Sequence, residues 1–478
     1  MPITRIHNKK ASLRKRDTFT SSLLNASGKE YLVEVGVGTP PQMFNVTLDT
    51  GSGDFWIPSD ACPATMCPLT RFNEKGSSTY QTMTPVSKLS IQYGIGFAEG
   101  AYSQDTVTLG GASLPNRAVG LVSNTSDILG LTTDTGGIDP SNGIFGLGYP
   151  GLSMKDDGHQ QIHFVSQLAE SKAISDPLFS VFLNPELGAG NSGEVLLGGI
   201  DTNKVSGEVQ YAPVVSYNLS SYYIVPNLNA RSNSANNTYL YWTIPGQSVS
   251  ASSGYVHNST ELQPYILDTG TTLTYVPPQV AEGIVMSVTK NATTTTLDSF
   301  NGVYMVSCDL AKNTQDTVDF EISTSLSAIT TNGGAIPIHV KVSDLVIPLD
   351  AGATTAAQSQ NCMFGIAPAS SDLDLTSGET WIIGESVIRS IYTVFDLKQN
   401  RVGIAKLSAN AGNTATSASS SSSSGTSDTS ASNSSGGASS SNGSTQSVSK
   451  TNNTSDCTRV VSQVALSLLL MSSVMLII

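Results

Sequence analysis

Apolar and polar residues alternate along much of this chain in short runs, as in Leu89-Ser90-Ile91-Gln92-Tyr93. Gly, Ser and Thr are abundant, and long apolar stripes at helical spacing are few. A period of two in short segments predicts strands, so the fold class is read as mainly β. Two apolar runs stand out because each ends in an acid. Val46-Thr47-Leu48 leads straight into Asp49-Thr50-Gly51-Ser52, and Tyr265-Ile266-Leu267 leads into Asp268-Thr269-Gly270-Thr271, with the aspartates 219 positions apart. A carboxylate at the buried end of a strand costs several kcal/mol unless a neighbour uses or neutralises it. Two in matching frames predict a duplicated half-site whose acids meet across an interface.

The repeat extends past the aspartates. Ile144-Phe145-Gly146 ends 97 residues after Asp49, and Ile382-Ile383-Gly384 ends 116 residues after Asp268. A period of about two hundred residues makes the unit a lobe, not a solenoid repeat. Glycine after a buried apolar pair permits the close backbone approach that an Asp-bearing loop threaded between strands requires.

These residues resemble the pepsin-like aspartic proteases from about Asp17 to Leu407. Beyond the two Asp-Thr-Gly motifs, Gly51-Ser52-Gly53-Asp54-Phe55-Trp56-Ile57-Pro58-Ser59 looks like the family's segment after the first aspartate. Leu89 to Gly96 looks like its flap hairpin, and Trp381 to Asp396 like its closing motif. The resemblance implies a bilobal fold with two pseudo-twofold-related lobes and a cleft between them. It assigns residues 17–215 to an N-terminal lobe carrying the first aspartate and flap, and 216–407 to a C-terminal lobe carrying the second. It implies Asp49 and Asp268 as the catalytic pair, and Tyr93 and Gly94 as the flap over substrate. Trp56 would then support Tyr93 through an indole-to-phenol hydrogen bond, and Gly51, Gly270 and Thr271 would line the cleft. Anchored, yapsin-like fungal members are the subtype it resembles.

Two other matches are read as decoys. Asp134-Thr135-Gly136 follows no continuous apolar strand and reads as a surface turn. Gly146-Leu147-Gly148-Tyr149-Pro150-Gly151 fits the dinucleotide formula, but Pro150 and the lack of a βαβ setting argue against phosphate binding.

Amide hydrolysis needs an activated nucleophile and a proton for the oxygen and the leaving nitrogen. Two carboxyls about 3 Å apart cannot both ionise readily, so such a pair holds one proton between them. A water between Asp49 and Asp268 could lose a proton to the carboxylate while the acid protonates the scissile carbonyl. Ser52 and Thr271 stand where their hydroxyls could hold the outer carboxylate oxygens, and Thr50 and Thr269 would tie the two loops together. Plain turn capping is the simpler reading of those hydroxyls, and the two are compatible. Rival chemistries lack their parts. The five histidines form no H-E-x-x-H and have no cysteine partner at zinc spacing, and no G-x-S-x-G elbow is present. No metal or cofactor is expected.

At 478 residues, 39% hydrophobic and 13% charged, the chain can bury more than one core. Its net charge of −13 argues against nucleic acid as a partner. It also fits an acidic working environment, though ordinary surface solubility explains it equally. Of five cysteines, Cys62 and Cys67 are close enough to staple a small loop, and Cys308 and Cys362 could close a longer one. Both pairings, Cys62–Cys67 and Cys308–Cys362, match bridges that the resemblance implies, and Cys457 is left over. Such usage points to an oxidising compartment.

The ends carry further expectations. Residues 1–16 are basic, end in a dibasic pair and read as the remnant of a prosegment, with no signal peptide. Residues 408–449 are Ser/Thr-rich and read as a disordered stalk. Residues 450–478, a polar spacer and an apolar tail with no basic residue after it, form the pattern of a GPI-anchor signal. Sequons at Asn25, Asn45, Asn124, Asn218, Asn236, Asn258 and Asn291 agree with the secretory route. The polar stretch Arg231–Leu262 reads as an insertion ahead of Asp268. The composite expectation is a monomeric aspartic endopeptidase of acid optimum, tethered outside the cell and acting on extended polypeptides. The alternatives are an inactive pepsin-fold binding protein or inhibitor, and a cell-wall structural mannoprotein.

Overall fold

A computed structural model describes residues 18–413, apart from 26–29, 94–95, 127, 130–139, 154–161, 185–189, 220–223, 227, 229–236, 332, 351 and 371–380. The prosegment remnant, most of the stalk, the anchor signal, Asp134-Thr135-Gly136 and Gly94 therefore lie outside the described residues. The rest is mainly β, in the bilobal arrangement of the pepsin-like fold.

Strands with one solvated face show the alternation read from the sequence. Ile336–Lys341 buries every second residue, and Lys88–Tyr93 does the same. Strands enclosed on both sides are short and apolar throughout, as in Phe55–Pro58 and Trp381–Ile383. The Pro278–Val288 helix buries Val280, Ala281, Ile284, Val285 and Val288 as one stripe, with a proline at its first turn.

A fourteen-stranded sheet runs from Val205–Pro213 through Arg401–Leu407, Ile391–Asp396, Leu178–Leu183, Gly190–Leu197 and Phe19–Asn25 into the strands around Asp49. The final strands of the fold thus pair with those of the first half. A seven-stranded sheet surrounds Asp268, and a four-stranded sheet lies beside it. Cys308–Cys362 joins the end of one strand of this small sheet to the next, and Cys62–Cys67 closes a five-residue separation. Both bridges are those the resemblance implied.

The two acid loops are framed alike. Gln42–Asp49 runs parallel to Ile144–Gly146, with Asp49 opposite Gly146. Val256–Leu267 runs parallel to Trp381–Ile383, with Leu267 opposite Ile383. In each half a third short strand, Phe55–Pro58 or Thr274–Val276, lies antiparallel to the glycine strand. A Cβ on Gly146 would collide with the Asp54 backbone, and one on Gly384 with the Thr271 and Leu273 carbonyls. The close approach inferred at these glycines is present in both halves.

The stretch Arg231–Leu262 departs from the reading as an insertion. Thr243–Ala251 and Val256–Leu267 are central strands of the seven-stranded sheet. Trp242, fully buried, stands between the halves, 4.5 Å from the Tyr149 ring and 5.0 Å from Phe395. Polar composition misled because the first of these strands buries Thr243 and Gln247, while the second is exposed or half-exposed on both faces from residue 256 to 261.

Candidate active site

Each aspartate ends its strand where the chain turns sharply, and the glycine two residues on donates its amide back to the carboxyl. Gly51 N–H donates to Asp49 Oδ1 at 2.7 Å, and Gly270 N–H to Asp268 Oδ1 at 2.8 Å. The outer oxygens are held by hydroxyls: Ser52 donates to Asp49 Oδ2, and Thr271 to Asp268 Oδ2 at 2.6 Å. The glycines also make room. A Cβ on Gly51 would strike the Asp268 carboxyl, and one on Gly270 the Asp49 carboxyl.

The threonines lock the loops across the seam. Thr50 Oγ1 donates to the Leu267 carbonyl at 2.8 Å, and Thr269 Oγ1 to the Leu48 carbonyl at 2.7 Å. Each hydroxyl also accepts the other loop's amide, Thr269 N–H to Thr50 Oγ1 at 3.0 Å and Thr50 N–H to Thr269 Oγ1 at 3.2 Å. Four bonds between loops 219 positions apart fix the acids against each other.

Asp49 and Asp268 are both buried and lie within hydrogen-bonding reach of one another. Burial, reinforced by the charge of Asp268, holds the Asp49 carboxyl well above its ordinary range. Burial raises Asp268 as well, opposed by the Thr271 hydroxyl. One shared proton is the state this geometry favours. Among the described residues no lysine or arginine forms an ion pair with either acid. No group of metal-ligating side chains occurs there either.

Tyr93 is buried close enough to feel the charge of Asp49. It ends the Lys88–Tyr93 strand, which pairs with Gly96–Leu109 so that Tyr93 faces Gly96 across a two-residue turn. Trp56 Nε1 donates to its phenol oxygen at 2.6 Å, the support inferred from the sequence. Gly94 falls in the undescribed turn. Gly51, Ser52, Thr50, Gly270, Thr271 and Thr269 gather around the two carboxyls, and Trp56 joins Tyr93.

Some residues at the site were not singled out. The Tyr241 phenol feels both Asp49 and Asp268, and its ring meets Tyr217 edge-on at 5.9 Å. Asp54, fully buried, accepts from Ser153 Oγ at 2.8 Å. It lies inside a quoted motif, and a charged residue amid an otherwise apolar and glycine run was the available signal. Tyr241 carried no such signal: it sits in a bend between Leu240, whose carbonyl accepts from the Tyr149 amide, and Trp242, whose carbonyl accepts from the Leu267 amide.

Two buried carboxyls that favour one shared proton, each held by its own glycine amide and hydroxyl and cross-tied by the threonines, define the class of an acid-dyad hydrolase. Residues 30–407 match the family described as eukaryotic aspartyl protease. The chain is 31% identical to gastricsin of Mus musculus, across 78% of its own length and 80% of that protein. Pepsin A of Rhinolophus ferrumequinum is 31% identical over 81% of this chain and 84% of its own. Mucorpepsin of Rhizomucor pusillus is 28% identical over 82% of each. The chain belongs to the pepsin-like aspartic protease family. Membership makes it an aspartic endopeptidase with polypeptides as substrates.

Proposed function

We propose that this protein cleaves extended polypeptides at acid pH with Asp49 and Asp268 as the catalytic pair, at the outer face of the cell. The observation that carries the reading is the meeting of the two raised carboxyls, each cradled by its own glycine amide and hydroxyl. In the singly protonated pair the carboxylate takes a proton from water, and the acid donates to the carbonyl oxygen as the bond to carbon forms. The proton later passes to the leaving nitrogen. No covalent intermediate with the enzyme arises. Tyr93 excludes bulk water and holds the substrate backbone when the flap is closed. Catalysis needs the shared proton, and this supports an optimum below neutrality.

Ser52, Thr271, Thr50 and Thr269 are assigned to dyad support. Gly51, Gly270, Thr271, Trp56, Tyr93 and Gly94 are assigned to the cleft and flap. The halves divide near residue 215, and the protein acts as a monomer without nucleic acid or a cofactor. Residues 408–478 carry the stalk and glycolipid-anchor pattern, which supports a yapsin-like, surface-tethered subtype. Release from intact cells by a phosphatidylinositol-specific phospholipase tests the anchor. Among the sequons, Asn258 and Asn291 are exposed, whereas Asn25 is fully buried. Glycans are expected at the first two and not at Asn25, readable by peptide mass mapping after enzymatic deglycosylation in oxygen-18 water.

The deciding experiment is binding of a statine peptide, whose tetrahedral carbinol mimics the hydrated carbonyl. Binding abolished by Asp49→Asn, together with peptide cleavage below pH 6, supports the proposal. A wild-type protein that binds the peptide yet cleaves nothing at any pH would instead be the inactive pepsin-fold binder.

A further inference from the structure

The first acid loop rests on the backbone of one residue, Leu147. Leu147 N–H donates to the Asp49 carbonyl at 2.6 Å. The Leu147 carbonyl meets the Trp242 indole N–H, from the second half, at 2.8 Å, and His163 Nε2 at 3.0 Å. His163 also caps the Phe164–Glu170 helix, its Nδ1 accepting from Val165 N–H at 3.2 Å. A carbonyl at Nε2 and an amide donor at Nδ1 fix the ring as the neutral tautomer with its proton on Nε2. An imidazolium would turn an N–H at Nδ1 toward another N–H and lose the cap.

The surroundings offer a positive charge on this ring no relief. It is 4% exposed and stacked on Phe179, with centroids 5.8 Å apart. Among the described residues, the charged group facing it is Arg117, from the Ala112–Ser126 strand. Arg117 is itself buried, donating to the Ile162 carbonyl and to Gln167 Oε1 on the His163 helix. Asp54 acts on Arg117 from behind.

We propose that His163 is a positioning residue for proteolysis. As a neutral Nε2–H imidazole it fixes the Leu147 peptide, hence the Asp49 backbone and the Trp242 seam, and its protonation sets the acid-side limit of the working range. The inference rests on the aspartic-peptidase reading and adds a lower bound to its acid optimum. Burial and Arg117 depress the imidazole to about 4. With the folded value below the ordinary ~6.5, the unfolded chain binds a proton that the fold refuses between those values. Stability is therefore lost as pH falls through that window. The dyad, with raised carboxyls, acts in the opposite sense, so the two groups bracket the useful range.

The test compares full-length wild type with His163→Gln, whose amide nitrogen can keep the bond to Leu147 without titrating. Wild-type kcat on a fluorogenic peptide should fall about fivefold between pH 4 and pH 3, as expected for one proton titrating near pH 4, with KM changed little. His163→Gln should lose less than twofold over that step, and its Tm should fall less than that of wild type between pH 6.5 and 4. An acid limb and Tm slope identical in both proteins would overturn the proposal. Should the variant not fold, nitrogen-15 spectra of histidine-labelled wild type decide. A buried ring neutral on Nδ1 down to pH 4 supports the proposal. A ring that titrates near 6.5, or that carries its proton on Nδ1, refutes it. Absence of any peptidase activity in wild type would sink the enzymatic reading, and the spectra would then still report on His163.

Discussion

The two acid loops use the same bonds in different settings. Around the carboxyls the halves match one for one: glycine amide, hydroxyl and threonine cross-tie. Two residues upstream the match ends. Thr47 lies on the same strand face as Asp49, with its hydroxyl 2.7 Å from Ser141 Oγ. Ile266 holds the equivalent place before Asp268 and packs in a cluster with Trp56, Tyr93, Leu240 and Tyr241. Behind the loops the match ends again, because the Asp49 carbonyl meets Leu147 and, through it, Trp242 and His163. The duplicated part is what the chemistry needs from both acids. Where the halves differ, the difference falls on the strand ahead of each acid and on what joins the halves.

If the acids form one functional unit, removing either should cost about the same. Asp49→Asn and Asp268→Asn should each lower kcat at least about a thousandfold with the fold retained. A variant of either kind that kept a tenth of wild-type activity would break the symmetry. The same variants carry a stability signature. Raised carboxyls hold a proton in the fold that the unfolded chain releases, so their contribution to stability is present at low pH. It is lost as pH rises from the ordinary carboxylate range near ~4 through the folded values. Asp49→Asn should therefore gain in Tm on wild type as pH rises from 4 to 7. A constant gap between the two proteins would contradict the raised carboxyls.

The crossed glycines give the next largest effect. Gly51→Ala places a methyl against Asp268, and Gly270→Ala places one against Asp49, so each lesion is felt by the opposite acid. Displacement of a carboxyl by about 1 Å should lower kcat roughly a hundredfold, with secondary structure unchanged by circular dichroism. Equal losses would confirm that each loop shapes its partner's acid.

Much of this site was legible because its constraints are local. An apolar strand running into Asp-Thr-Gly must bury a carboxylate, and the glycine, hydroxyl and threonine that solve the problem lie within three residues. Tyr93 was legible for a similar reason, as the last residue before a two-residue hairpin turn. Trp242, Tyr241 and His163 were not, since their roles arise from contacts with Leu147, the dyad and Arg117, all distant in sequence. The Arg231–Leu262 stretch misled for a related reason. One strand there buries polar Thr243 and Gln247 and the next is exposed or half-exposed on both faces from residue 256 to 261, and composition alone does not separate such strands from a loop.

The threonine cross-tie offers a smaller, thermodynamic test. Thr50→Val and Thr269→Val each remove a donated bond to the opposite loop and an acceptor for its amide. Each should destabilise the fold by roughly 1–3 kcal/mol, measured by denaturant unfolding. Because the four bonds form one network, the double variant should lose less than the sum of the singles. Simple additivity would mean that the two threonines act separately.

The smallest effect tests the difference between the halves instead of their likeness. Strand alternation puts residue 47 on the same side as Asp49, with Val46 and Leu48 turned into the core. If substrate lies over the pair as proposed, one residue flanking the scissile bond should meet the hydroxyl pair Thr47–Ser141 and the other the apolar side formed by Ile266 and Tyr241. Thr47→Ile removes the hydroxyl contact to Ser141 and copies the second half's residue into the first. A side-chain change of this size is worth about 1–3 kcal/mol of discrimination in a pocket. On peptide libraries, kcat/KM for a large apolar residue at one flanking position should rise about tenfold over a polar one, with the other position unmoved. A preference that shifted equally on both sides of the cleaved bond would mean that Thr47 acts on the dyad itself, and the asymmetry would then have to lie elsewhere in the cleft.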